Sequence, residues 1–240
     1  MTILNIAGYR FVELTQLQKL QDHFQSACRA LQLKGTILLS KEGINISLAG
    51  QKTNINAFQA LLSQDPCFTG MSFHESWSTD VPFKKLKIKI KKEIITFKQD
   101  SKINPFHRAP SISPHLLKQW LDDKKDITLL DTRNEYEIAY GTFKDAINPH
   151  IKHFTELATE LHLLDGEKPI VMFCTGGIRC EKAASYMDAL GFQQVYQLDG
   201  GILGYFKSVG GAHWIGNCFV FDERIAIDAE MKAASVDLSN

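Results

Sequence analysis

The stretch Pro169-Ile-Val-Met-Phe-Cys174-Thr-Gly-Gly-Ile-Arg179-Cys-Glu-Lys-Ala-Ala-Ser-Tyr-Met187 decides the reading of the second half of the chain. Its first residues are apolar and bounded by a proline, the mark of a short buried strand. Two glycines then turn the backbone, and a run free of proline and glycine follows as a helix. Units of this strand–turn–helix kind build parallel sheets, whose active crevice lies beyond the carboxyl ends of the strands. Backbone N–H groups converge at such a junction, and the helix dipole adds positive potential, so an anion is stabilised there. A thiolate is such an anion. The Cys174 thiol is therefore expected to ionise easily and act as a nucleophile. Gly176 and Gly177 let the chain curl around the sulfur without a Cβ clash. Arg179 adds a positive charge at the helix start. The bland alternative, a buried cysteine before a glycine turn, leaves the coincidence of strand, glycines, arginine and helix unexplained.

Working outward, the second half predicts helix 114–122, strand 127–131, helix 134–140, helix 153–163, strand 169–174, helix 179–190, strand 194–198 and helix 202–208. Strands separated by helices imply a doubly wound parallel α/β sheet. The first half reads differently. A strand over 4–14 precedes a helix to about residue 33, with Thr15 at its N-cap. Strands 36–40 and 44–49 flank a turn, and a second helix carries Ile55, Phe58, Leu61 and Leu62 before Asp65-Pro66 ends it. Two more strands follow, 71–77 and 86–97. The order βαββαβ with one extra strand predicts a ferredoxin-like α+β domain. Pro105, Pro110 and Pro114 mark a connection. The expected division is 1–100 for the ferredoxin-like domain, 101–121 for a linker and leading helix, 122–216 for the α/β domain, and 217–240 for a C-terminal tail.

Composition sets outer limits. The 240 residues are 44% hydrophobic and 22% charged, which excludes a wholly disordered or collagen-like chain. No apolar run is long enough for a transmembrane helix, and Met1-Thr-Ile-Leu-Asn has no signal-peptide pattern, so the cytoplasm is the expected location. Five cysteines without a C-x-x-C spacing suit neither a disulfide framework nor a zinc site. Cys28 and Cys67 read as small apolar side chains. The net charge of zero hides an asymmetry: residues 1–110 hold 15 Lys and Arg against 8 Asp and Glu, and residues 111–240 hold 12 against 19. Within the basic half, Lys85, Lys87, Lys89 and Lys91 alternate with Leu86, Ile88 and Ile90. Period two puts the apolar set on a core and the lysines on the opposite face. With Lys84, Lys92, Lys98 and Arg108 near in sequence, that face is a candidate for RNA phosphates. The competing reading is a solvated strand protected from aggregation by its lysines.

The loop Cys174-Thr175-Gly176-Gly177-Ile178-Arg179 resembles the active-site loop of the rhodanese superfamily. Four residues separate its cysteine and arginine. Related cysteine phosphatases usually have five, so the shorter loop suits a terminal persulfide sulfur better than a phosphate. Asp131-Thr-Arg133-Asn-Glu135-Tyr-Glu137, Gly141-Thr-Phe-Lys-Asp-Ala146-Ile-Asn148-Pro and Leu198-Asp-Gly200-Gly201-Ile resemble other rhodanese segments. Asp131 and Arg133 are expected to brace the active-site side of the sheet. Cys180 is open to two roles, resolving an oxidised Cys174 through a disulfide or packing inside the helix, with packing preferred.

The resemblance extends further. Lys41-Glu42-Gly43-Ile44-Asn45, the strand from Lys85 to Ile95, the Cys174–Ala183 run and Asn217-Cys-Phe-Val-Phe-Asp-Glu-Arg224 together resemble the bacterial oxygen-dependent tRNA uridine hydroxylase family. That resemblance implies 5-hydroxylation of the wobble uridine, position 34, with tRNA as partner and molecular oxygen as co-substrate. It also implies a required, persulfide-capable Cys174. No cofactor or metal is expected from the residues: there is no G-x-G-x-x-G, and no histidine has a carboxylate two residues on. His150 and His153 form the only close histidine pair and read as surface. No membrane contact or obligatory protein partner is expected. Two other readings compete: a sulfurtransferase relaying sulfane sulfur, and a binding module with a vestigial rhodanese domain.

Overall fold

The computed structural model describes residues 2–99, 103–106 and 108–234. Two compact units divide the chain, Met1–Thr96 and Phe97–Asn240. Parts of the expected linker (101, 102 and 107) and the end of the expected tail (235–240) lie outside the described residues.

The first unit runs β1 (Ile3–Phe11), α1 (Leu17–Ala30), β2 (Lys34–Ser40), β3 (Gly43–Gly50), α2 (Lys52–Ser63), β4 (His74–Ser78) and β5 (Leu86–Ile90). The sheet order is β4-β1-β3-β2-β5. β3 lies between β1 and β2 and is antiparallel to both, the split βαβ arrangement of a ferredoxin-like domain. Ile37, Leu39, Ile44, Ile46 and Leu48 point from the sheet into one core with Phe24 and Cys28 of α1 and Ile55, Phe58 and Leu62 of α2. The apolar positions three and four apart on each helix, and two apart on each strand, meet there. α1 starts at Leu17 with Gln16 at its N-cap and no side-chain cap bond, so Thr15 does not have the expected role.

The extra strand is shorter than its sequence pattern. β5 pairs in parallel with β2 from Gly35↔Leu86 to Leu39↔Ile90. Beyond that, the ladder has little partner left, because β2 ends at Ser40. The chain then leaves the sheet: Ile94 N donates to the Glu42 carboxylate at 2.7 Å, and Ile94 O accepts from Asn45 Nδ2 at 3.3 Å. The expected strand to Phe97 is therefore cut at Ile90, which is 38% exposed at the sheet edge rather than in the core. The alternation does hold for Ile88, which is buried between exposed Lys87 and Lys89.

The second unit continues β6 (Ser111–Ile112), α3 (Pro114–Asp122), β7 (Thr128–Asp131), α4 (Glu135–Ile138), β8 (Gly141–Phe143), α5 (Leu157–Glu160), β9 (Ile170–Phe173), α6 (Ile178–Ala189), β10 (Val195–Leu198), α7 (Gly201–Val209), β11 (Trp214–Gly216), β12 (Cys218–Phe219) and β13 (Ala226–Ile227). Its main sheet has the order β6-β10-β9-β7 with every pair parallel. Val171 and Phe173 of β9 join Leu117 of α3 and Ile202, Leu203 and Phe206 of α7 in one core. Alternation sends Ile170 and Met172, also buried, to the other side of the strand. Ser113 caps α3 by accepting from Leu116 N, with Pro114 in the first turn. The helix expected over 153–163 is broken into one turn of 3₁₀-helix, α5 and a second 3₁₀ turn. Five short strands, β6, β8, β11, β12 and β13, have no counterpart in the sequence reading. Cys218, Val220 and Ile227, from the segment after 216, lie in this unit's core.

Candidate active site

Cys174 follows the last residue of central strand β9, so three strand ends gather around it. Just after β7, Thr132 N and Oγ1 both donate to Phe173 O at 3.0 Å, fixing the position of the strand end. From the turn after β10, Ile202 N and Leu203 N at the start of α7 donate to Cys174 O at 3.0 Å and Thr175 O at 3.1 Å. These bonds use the loop's carbonyls and leave its N–H groups free to face the sulfur. Gly177 N donates to Cys174 Sγ at 3.1 Å. Gly177 can do so because it has φ +98° at the N-cap of α6. Gly201 is equally constrained: φ is +60°, and a Cβ there would lie 2.4 Å from Cys174 O.

These contacts decide the ionisation of Cys174. Burial alone would raise its pKa. The Cys180 thiol as hydrogen-bond donor, the Arg179 charge and the N–H groups of Arg179 and Gly177 outweigh burial and lower it to about 6. Cys180 moves the other way, well above a free thiol, because burial and the adjacent Cys174 anion both oppose its ionisation. It is fully buried and also contacts Thr132 Oγ1 at 3.5 Å. Its place is thus within the helix but also directly against the sulfur of Cys174. Thr175, Gly176 and Ile178 are half-buried at the loop, whereas Cys174 itself is 1% exposed.

Arg179 is anchored more firmly than its sequence position suggests. Its Nη1 and Nη2 donate to the two Glu137 oxygens at 2.7 and 2.6 Å, a buried bidentate pair. Burial works against the guanidinium charge, but Glu137 more than offsets it and raises the pKa. Glu137 is also fixed by Asn134 N, which donates to its Oε2 at 3.1 Å. Asp131 and Arg133 form a second, fully buried pair: Nε to Oδ1 is 2.9 Å and Nη2 to Oδ2 is 2.6 Å. Arg133 Nη2 also donates to Gly141 O at 2.6 Å, and Thr142 Oγ1 donates to Asp131 Oδ2 at 2.8 Å. Their hydrogen bonds therefore tie the end of β7 to β8.

The structure thus gathers Cys174, Thr175, Gly176, Gly177, Ile178, Arg179 and Cys180 in one loop, with Asp131 and Arg133 at the neighbouring strand end. Lys85, Lys87, Lys89 and Lys91 are all exposed and belong to the other unit. Glu137 is a site residue that the sequence reading did not single out. Its signal was the Asn134-x-x-Glu137 spacing of a capped helix start. No group of three or more histidine, cysteine or acidic side chains able to hold a metal occurs among the described residues. The His150 ring meets Glu135 at 2.7 Å.

A parallel α/β unit with a cysteine loop closed by a following helix start defines a rhodanese-like domain, and residues 113–208 match the rhodanese-like domain family. Residues 3–94 match the UPF0176 acylphosphatase like domain family. Relatives named tRNA uridine(34) hydroxylase match nearly the whole chain. That of Cupriavidus taiwanensis is 46% identical and covers 98% of this chain and 86% of its own length. That of Xanthomonas euvesicatoria is 47% identical, covering 96% of each. That of Bordetella avium is 46% identical, covering 97% of this chain and 99% of its own length. The chain belongs to the tRNA uridine(34) hydroxylase family.

Proposed function

We propose that this protein hydroxylates C5 of the wobble uridine of tRNA, with molecular oxygen as co-substrate and Cys174 as nucleophile. The observation that carries this reading is the preorganised sulfur anion at Cys174, taken with the name its full-length relatives bear. A sulfurtransferase would use the same loop, but those relatives are named for hydroxylation.

In this mechanism the Cys174 thiolate, or the outer sulfur of its persulfide, adds to C6 of the uracil ring. The electron pair moves to C5 and O4 as an enolate. C5 then attacks oxygen and a C5–O bond forms. One oxygen atom stays as hydroxyl. The other leaves as water, taking two protons and two electrons from an external thiol reductant. Loss of the C5 proton expels the sulfur from C6 and restores the ring. Gly177 N–H, Arg179 N–H and Cys180 S–H hold the sulfur anion before addition and after expulsion. Glu137 keeps Arg179 from swinging away. The near-complete burial of Cys174 has a consequence. The base must shift side chains at the loop on arrival, or meet a persulfide sulfur standing about 2 Å further out. The exposed Lys85, Lys87, Lys89 and Lys91, in and beside β5, bind RNA phosphates by charge.

Nucleoside mass spectrometry of tRNA from cells with and without the gene tests the reaction. A gain of one oxygen on uridine supports it, and an oxygen-to-sulfur exchange assigns the sulfurtransferase instead. A 5-fluorouridine tRNA should trap an adduct on the wild type; equal trapping by Cys174→Ser removes the mechanism. Neutralising Lys85, Lys87, Lys89 and Lys91 together should weaken tRNA binding and flatten its dependence on salt by roughly 0.7–0.9 per lost phosphate contact. An unchanged slope makes that face solvated surface only.

A further inference from the structure

Beside the Cys174 loop lies a row of four rings. The centroid of Phe219 is 5.4 Å from those of Tyr136 and Tyr140 and 5.1 Å from that of Phe221. Its outer members are open to solvent, Tyr136 at 47% and Phe221 at 61%. The row adjoins the chemistry: the Phe221 ring centre is 5.9 Å from the guanidinium carbon of Arg179, whose backbone N–H bonds the Cys174 sulfur.

The hairpin that presents Phe221 is stiff. Val220 N donates to Ile225 O at 2.8 Å, and Ile225 N to Asp222 O at 3.0 Å. Arg224 grips the Asp222 carboxylate twice, at 2.8 and 2.6 Å, and both side chains are nearly buried. A rigid tip that holds a large apolar ring in water is costly unless something covers the ring.

A second observation concerns the loops on either side. The Asn134 side chain takes part in the capping box at the start of α4, and the Thr175 hydroxyl hydrogen-bonds the buried Cys218 thiol. Thr175 follows Cys174, and Asn134 donates from Nδ2 to the Tyr136 hydroxyl at 3.4 Å. Both groups are buried within the loops, so it is the exposed ring faces that are left for a ligand.

We propose that Tyr136, Phe219 and Phe221 form a stacking shelf for unpaired bases of the tRNA anticodon loop, delivering the wobble base to Cys174. This rests on the reading of the protein as a wobble-uridine hydroxylase and assigns the surface that recognises the loop. Aromatic rings stack on any unpaired base, whereas a duplex keeps its base faces covered. The shelf therefore selects looped RNA over helical RNA. Because Glu137 neutralises Arg179, attraction here comes from ring stacking more than from charge. The phosphates are left to basic surface elsewhere.

An anticodon stem-loop carrying 2-aminopurine next to position 34 reads the stacking directly. Wild type should quench its fluorescence. Phe221→Ala should lose most of the quenching and bind the stem-loop about tenfold more weakly. Phe221→Tyr should restore both, and the titration of Cys174 should not move in either variant. Tyr136→Ala is a second probe with the same expected direction. Quenching and affinity unchanged in both alanine variants overturn the shelf. So does a protein dimer that Phe221→Ala dissociates without altering RNA affinity, which gives the face to a second copy of the chain. If wild type binds and hydroxylates the stem-loop and Phe221→Ala does so equally well, the shelf alone fails. If wild type neither binds nor modifies it, the hydroxylase reading fails and the shelf with it.

Discussion

Cys174 and Cys218 belong to the same unit and are equally shut off from water, yet their thiols diverge. Cys218 is pushed up to about 12, first by burial. The charges around it cancel in part, with Arg133 lowering its pKa and Asp131 and Glu137 raising it. Cys174 is lowered to about 6 against the same burial. Cys28, in the core of the other unit, is also pushed up to about 12 by burial. Burial opposes the thiolate at both sites; at Cys174 several donors and the Arg179 charge together reverse it, and at Cys218 the Thr175 hydroxyl and Arg133 do not. Cys218 lies at the start of a two-residue strand, where its thiol donates to Phe219 O and the Thr175 hydroxyl bonds its sulfur. Cys174 lies where a strand end, a left-handed glycine and a helix start turn their N–H groups inward.

The largest expected effect separates the two sulfurs by function. Cys174→Ser should lower hydroxylation at least a thousandfold, and Cys218→Ala should keep it within about twofold. Measured turnover on tRNA checks both, and comparable losses would erase the contrast. Next in size is the pH dependence of stability, read from urea unfolding of wild type against Cys174→Ala. The unfolded Cys174 thiol titrates near 9.0 and the folded one near 6. Between those values the unfolded state binds the extra proton. The thiolate's contribution should therefore rise by about 1.4 kcal/mol per pH unit from pH 6 to pH 9 and vanish below pH 6. Cys218 has the opposite sign: its folded state keeps the proton above 9.0, so wild type should lose stability relative to Cys218→Ala as pH climbs beyond that value. A flat difference for Cys174 across pH 6–9 contradicts the account of its donors. The smallest effect isolates one donor. Cys180→Ala should raise the Cys174 midpoint toward that of a free thiol, and Cys180→Ser, which keeps a donor hydrogen, should hold it low. No movement in Cys180→Ala would reduce Cys180 to a packing role.

The Cys174 side of this contrast was legible in the sequence, because its loop is local; nothing in the sequence reading addressed the Cys218 thiol. Five consecutive residues after an apolar strand set the backbone that holds the sulfur. The split βαβ unit was legible for a similar reason, since its helices and inner strands bury apolar sets at periods of 3.6 and two. What was not legible depends on residues brought together from far along the chain. Glu137 meets Arg179 across 42 positions. Ser111–Ile112 becomes a strand only because Gln197 and Leu198 of β10 pair with it, inside a stretch whose prolines read as a connection. β5 stops at Ile90 because its neighbour stops, although Ile94 and Ile95 still look like strand residues. Tyr136, Phe219 and Phe221 were visible as letters, but only folding puts α4 and β12 side by side.

The most direct test is the thiolate absorbance of wild type minus that of Cys174→Ser, followed from pH 4 to pH 10. A single step is expected with its midpoint near pH 6, so that most of the protein carries the anion at neutrality. A midpoint at or above pH 9, the range of an unassisted thiol, contradicts it.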